Sequence, residues 1–287
     1  IEGAALVGVA AGPERAPSAS GITILGAGAL PVAAPPEPLH IQTLGQARVW
    51  RGPVEITAWG RKSAVLLMGV LLTSRGEWLQ REQICDLLWP EADPATAEAQ
   101  FKVALNALSN ALEPQRPPRS LGRPLERRGS AYRINPRAEG LRLDAARFEE
   151  LLDRAADAGG AARAELLRRA LALYQGDYLA DCLYSDWARE TRERLRGRFL
   201  AGACALAGLA LDMGRLAEAE RWAEAALARD ACCEEAYQLL LRVHAAEGNR
   251  AQVCRVYERC AAALWCELGL EPLPQTTELY RAATLNP

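Results

Sequence analysis

Asp93-Pro94-Ala95-Thr96-Ala97-Glu98-Ala99-Gln100-Phe101-Lys102-Val103-Ala104-Leu105-Asn106-Ala107-Leu108-Ser109-Asn110-Ala111-Leu112 carries both the start and the stop of a helix. The Asp93 carboxylate is suited to capping the free amides of a first turn. Pro94 fits the first helical position, where its missing N–H is not needed. Phe101, Ala104, Leu105, Leu108 and Leu112 then recur at helical spacing, and Pro114 closes the run. With those residues turned inward, Gln100, Lys102, Asn106, Ser109 and Asn110 fall on the more exposed arcs.

Upstream of this helix, Gln80 to Trp89 reads as another, with Ile84, Leu87 and Leu88 on its inner side and Pro90 ending it. Before it, Arg61 to Ser74 carries a wide apolar face of Ala64, Val65, Leu67, Met68, Leu71 and Leu72, and stops at Arg75-Gly76, a basic last turn followed by a glycine. Leu39 to Leu44, Ala47 to Trp50 and Val54 to Ile56 read as three short antiparallel strands. Downstream, a loop rich in proline and arginine runs to Arg123, and Leu125 to Ile134 forms two strand-like arms about Gly129-Ser130. Strands, three helices and a hairpin, in that order, predict a winged helix over residues 39–136. In that architecture the third helix enters the DNA major groove and the hairpin lies against the neighbouring backbone.

The character changes after Asn135-Pro136, where a second domain over residues 137–287 begins, and from Leu143 onward nearly everything reads as amphipathic helix rich in Ala, Leu, Glu and Arg. Phe148 to Ala156 and Ala161 to Tyr174 form a first pair, broken by Gly176-Asp177-Tyr178. A long helix or helix pair covers Trp187 to Met213, and Glu278 to Thr284 makes a last helix on the stack. A period of 34 residues relates Gly214, Ala219 and Ala226 to Gly248, Val253 and Cys260. This is the spacing of a tetratricopeptide repeat, in which small residues let paired helices approach closely. Ala231 stands where such a repeat usually ends in proline. The expected fold class is therefore mainly α: a winged helix with small antiparallel sheets, then an all-α tetratricopeptide-like domain.

A chain of 287 residues, half of them apolar, is long enough for two cores. It begins at Ile1 rather than Met, and Gly12-Pro13 and Pro35-Pro36-Glu37-Pro38 are loop-like, so residues 1–38 read as a linker or the tail of an upstream region. Ile1 to Ala11 lacks the basic leading segment of an export signal, and no apolar run reaches the ~20 residues a bilayer crossing needs. A cytoplasmic protein is expected. Its eight cysteines show no Cys-x-x-Cys pair, and His40 and His244 stand alone, so reduced thiols acting as small hydrophobes are expected, with no metal. Gly26-Ala27-Gly28 lacks the rest of a dinucleotide fingerprint, and nothing requires a cofactor or an enzyme. Trp59, Trp89 and Trp187 read as core or interdomain anchors. The net charge of −2 hides an asymmetry: residues 39–136 hold 13 Lys or Arg against 9 Asp or Glu, whereas residues 137–287 hold 20 against 24.

Leu87-Leu88-Trp89-Pro90-Glu91-Ala92-Asp93-Pro94, followed by Phe101-Lys102-Val103-Ala104-Leu105-Asn106-Ala107-Leu108, resembles the OmpR-like winged helix of bacterial activators. Ala170-Leu171-Ala172-Leu173-Tyr174-Gln175-Gly176-Asp177-Tyr178-Leu179, Asp186-Trp187-Ala188 and Leu268-Gly269-Leu270-Glu271-Pro272 resemble the bacterial transcriptional activator domain that follows it. The pairing, over about Leu39 to Thr284, is similar to the Streptomyces antibiotic regulatory protein family. That resemblance implies binding to direct-repeat promoter DNA as a dimer or tandem pair, and contact with RNA polymerase.

Gln100, Lys102, Asn106, Ser109 and Asn110 are the candidate base readers, since Asn and Gln pair bidentately with adenine and Lys reaches guanine or phosphate. Arg127, Arg128 and Arg133 on the hairpin, with Arg61 and Lys62 at the start of the first helix, are candidates for phosphate contacts, which position without specifying. The family often carries several arginines late in the third helix, where Ser109 and Asn110 stand here. Two other readings are therefore carried forward: a protein-interaction scaffold whose winged helix has lost DNA affinity, and a regulator whose helical domain senses a ligand.

Overall fold

The third-helix stretch forms as its pattern predicts. In the computed structural model, which describes residues 37–114, 123–182 and 185–285, it is the helix α3, Pro94–Leu112. Before it come β1 (Leu39–Gln42), β2 (Arg48–Arg51), β3 (Val54–Glu55), α1 (Lys62–Thr73), β4 (Leu79–Gln80) and α2 (Arg81–Leu88). After it come β5 (Leu125–Arg128), β6 (Ala131–Ile134) and β7 (Leu141–Leu143). The proposed linker, except Glu37 and Pro38, lies outside the described residues, as do Gly12-Pro13, Gly26-Ala27-Gly28 and most of the loop before Arg123.

Two small sheets flank the three helices. One has the order β3-β2-β1-β7, and the other β4-β6-β5. Strand alternation turns Leu39 and Ile41 of β1 and Val49 of β2 inward, onto Leu67, Met68, Leu71, Ile84, Phe101, Leu108 and Ile134. Phe101 meets Tyr132 of β6 edge to face at 5.1 Å between ring centres, which ties α3 to the hairpin. Arg51 reaches from β2 to the other end of α3 and donates to the carbonyls of Ala111 and Leu112, at 2.7 and 3.1 Å. These are carbonyls that a helix leaves unpaired at its C-terminus.

Three local expectations are corrected. Leu87 does not face the core; it is 43% exposed, and Cys85 takes the buried place beside Ile84. Gln80 does not open α2 as a helical residue, because it ends β4, whose pairing with β6 turns the chain before Arg81. Arg75 is not in the last turn of α1: the helix ends at Thr73, and Arg75, in a left-handed conformation, points to Glu149 at 3.2 Å.

The remaining helices are α4 (Asp144–Ala156), α5 (Gly160–Leu171), α6 (Arg189–Asp212), α7 (Leu216–Leu227), α8 (Glu234–Ala246), α9 (Arg250–Leu268) and α10 (Pro274–Leu285). Successive helices pack on one another, and α10 lies against α8 and α9. The 34-residue period is visible in the backbone. Gly214 and Gly248 have φ of +70° and +69°, and in each turn the following N–H, of Arg215 or Asn249, returns to the carbonyl of Ala210 or His244. The equivalent pairs Ala219 and Val253, and Ala226 and Cys260, are all fully buried. All eight cysteines are free thiols; Cys182, Cys204 and Cys260 pack in the helical core and Cys85 in that of the winged helix.

From Pro36 onward the chain is one unit, and the reason is a polar seam. β7 pairs in parallel with β1, Leu39 opposite Leu141 and Ile41 opposite Leu143. Asp144, 3% exposed, accepts at 2.8 Å from the backbone N–H groups of Thr43 and Leu44 and from the Thr43 hydroxyl. Gly176 to Leu179 docks on the same loop: Gly45 N–H donates to Asp177 O, Leu179 N–H to Thr43 O, and Ala180 N–H to Gly45 O. Trp187 is the interdomain anchor, packing on both cores. Its ring lies so close to Gly69 of α1 that a Cβ there would stand 2.8 Å from it. Trp59 and Trp89 pack on the winged-helix core. Among the described residues no helix is long and apolar enough to cross a membrane.

Candidate nucleic-acid interface

The Asp93 side chain accepts from the N–H groups of Ala95 and Thr96, both at 3.1 Å, and Pro94 opens the helix. Ala97, Phe101, Ala104, Leu108, Ala111 and Leu112 bury one stripe of α3. At ~100° per residue, the arc opposite that stripe contains Lys102, Val103, Asn106 and Asn110. All four are exposed.

Two shallow grooves run along this ridge. One, of about 520 Å³, lies between α3 and the loop before α1; its lining includes Trp59, Arg61, Lys102, Val103, Asn106 and Asn110. The other, of about 240 Å³, lies between α3 and the hairpin; its lining includes Arg81, Lys102, Asn106, Ser109, Arg127 and Tyr132. Lys102 and Asn106 line both grooves and are the crest between them. The grooves thus gather six of the ten candidates: Lys102, Asn106, Ser109, Asn110, Arg61 and Arg127.

The other four stand apart. Gln100 is exposed but lies to one side of the ridge, Lys62 is exposed on the first turn of α1, and Arg128 is exposed beside the hairpin turn. Arg133 is a structural residue: it pairs with Glu126, opposite it on β5, at 2.7 Å, and stacks over Trp78 with 4.4 Å to the ring centre.

The charge on the ridge is partly balanced within the fold. Lys102 Nζ lies 3.0 Å from Glu98, which also meets Arg81 at 2.9 Å. The lysine contact, then the arginine charge, hold the Glu98 carboxyl below its ordinary range. Arg127 donates to the carbonyl of Gly129 at 2.9 Å and stands over the Tyr132 ring. Gln100, Asn106 and Ser109 make no side-chain hydrogen bond among the described residues, so their polar ends stay available to a ligand. No cluster of His, Cys, Asp or Glu that could hold a metal occurs among those residues.

Sequence reasoning missed Arg81 and Val103. Arg81 follows a two-residue strand too short to show a pattern. Val103 is apolar, and apolar residues in an amphipathic helix are read as core unless their phase is checked.

Residues 143–283 match the family model described as "Bacterial transcriptional activator domain". That stretch of the chain carries this domain. It is 31% identical over 247 residues to Regulatory protein AfsR of Streptomyces coelicolor, and 27% identical over 247 residues to Regulatory protein AfsR of Streptomyces griseus. Each match covers 85% of this chain and 24% of the relative, so the chain spans about a quarter of those proteins. Its fold is that of Mycobacterium tuberculosis EmbR, solved in complex with a low-affinity phosphopeptide. The TM-score is 0.71 at 19% identity, over 88% of this chain and 66% of that one. The mainly α architecture, a winged helix followed by helical repeats, is thus common to this chain and a known bacterial structure. Within the matched domain, Gly176 to Leu179 forms the dock on the winged helix, and Gly269, in a left-handed conformation, ends α9.

Proposed function

We propose that this chain is a sequence-specific DNA-binding transcription regulator, acting as an activator in the cytoplasm. In this reading α3 enters the major groove, Asn106 and Asn110 read bases, and Lys102 reaches guanine or phosphate. Arg61 and Arg127 hold the backbones on either side. The observation that carries it is the ridge itself, a polar helix face flanked by Arg61 in one groove and by Arg81 and Arg127 in the other, with the Asn106 amide making no side-chain hydrogen bond among the described residues. Because α3 contributes one lysine and no arginine, and Glu98 shares that lysine, a single copy binds weakly and two copies on a direct repeat supply the affinity. The helical repeats serve dimerisation and contact with RNA polymerase.

Selection of bound duplexes from a random pool by residues 1–287 tests this. A repeated motif should emerge, and its affinity should fall steeply with salt, each phosphate contact contributing a slope of ~0.9 in log–log form. Enrichment of no motif would sink the proposal. The scaffold reading has one observation in its favour: Trp265, Leu268, Leu270 and Leu273 are exposed together around the end of α9. A pull-down that captured one protein partner alongside a failed DNA selection would favour it.

A further inference from the structure

Val103 is the ridge residue without a polar end. It is 48% exposed, between Lys102 and the groove lined by Arg61, and three residues from Asn106. Neither core packing nor helix propensity accounts for it: the buried stripe runs on the other side of α3, and a β-branched residue forms helix less readily than alanine, which fills much of this helix. Single exposed apolar residues are ordinary on protein surfaces. This one lines the groove beside the crest, one helical turn from Asn106, an amide with the chemistry of a base reader.

We propose that Val103 is a specificity-determining residue that reads the C5-methyl group of a thymine in the major groove. Thymine alone of the four bases presents a methyl group there, and aliphatic side chains recognise it by apolar contact. Three residues of helix rise ~4.5 Å, close to the ~3.4 Å step between base pairs. Val103 therefore meets the base pair next to the one that Asn106 reads, and the two together select a thymine beside an adenine. This assignment rests on the DNA-binding reading given above.

The test uses the full chain and the duplex it selects. Each thymine is replaced in turn by deoxyuridine, which lacks only the methyl group, and affinity is measured for the wild type and for Val103→Ala. One replacement should weaken wild-type binding about 3- to 5-fold, the effect of burying one methyl group. Val103→Ala should bind both duplexes equally, whereas Val103→Ile should keep the preference. Thermal melting of both variants should match the wild type, since the side chain is on the surface. If every thymine replacement acts alike on wild type and Val103→Ala, the Val103 assignment falls and the DNA-binding reading stands. If no duplex is selected at all, both fall.

Discussion

The winged helix and the α6–α9 part of the helical stack differ in the side chains that meet at their closest contacts, although both cores also bury large residues. In the first, large residues from distant parts of the chain meet: Phe101 on Tyr132, and Met68 with Ile41, Ile84 and Ile134. In the second, the contacts between α6, α7, α8 and α9 turn on Ala203, Ala207, Ala219, Ala223 and Ala226, with Val253 and Cys260 in equivalent places. A core of large residues fails when something is removed, and a core of small residues fails when something is added. The difference follows from architecture. Short strands and three helices leave a wide central space, whereas helices paired in antiparallel approach only as closely as their side chains permit.

Deletion in the first core should have the largest effect. Phe101→Ala is expected to cost about 3–5 kcal/mol in denaturant unfolding, because the fully buried ring also anchors the hairpin. Asp144→Ala comes next, at roughly 3 kcal/mol. It leaves the N–H groups of Thr43 and Leu44 and the Thr43 hydroxyl without their acceptor in a buried loop. If the seam joins the halves into one cooperative unit, calorimetry of the wild type gives one transition and Asp144→Ala begins to split it. Two transitions in the wild type would show the halves to be independent. In the stack, Ala219→Leu should cost about 1–3 kcal/mol by overpacking, and Ala219→Gly less. A larger loss from the glycine would overturn the comparison.

What could be read in advance follows the same division. The third helix was legible because its cap, proline, apolar stripe and terminator are all local, and the repeat because 34-residue periodicity is a property of the string. The place of Leu87 was not. Ile84, Cys85, Leu87 and Leu88 fit two helical arcs equally well. Contact with α1 and α3 chose the one with Cys85, against the greater hydrophobicity of leucine. The seam was beyond reach for a different reason. Thr43 and Asp144 are 101 residues apart, and nothing near either marks it as the other's partner. Of the candidate site, the α3 residues were chosen by helical phase alone. The engagement of Arg133 within the fold was not visible, because its partners, Trp78 and Glu126, come from other strands and turns.

Acidification separates the two regions by the smallest of these effects. In the stack, Glu218 receives the fork of Arg168, with oxygens at 2.6 and 3.0 Å, and this hydrogen bonding holds its carboxyl below the ordinary range. Such a group stabilises the fold above the unfolded-state value of about 4.3, and its contribution is lost as pH falls through the depressed value. At the seam, burial raises the Asp144 carboxyl and outweighs the hydrogen bonds that oppose it. The sign is therefore reversed. The folded state holds the proton more tightly than the unfolded chain, so stability is lost as pH rises from about 3.9 through the raised value, and recovered on acidification. Glu218→Gln should remove roughly 1 kcal/mol at pH 7 and flatten the decline between pH 5 and 3, followed by thermal melting. Asp144→Asn should remove the opposing trend and steepen that decline. Parallel pH profiles for Glu218→Gln and the wild type would mean that the Arg168 pair is no more than a solvated contact.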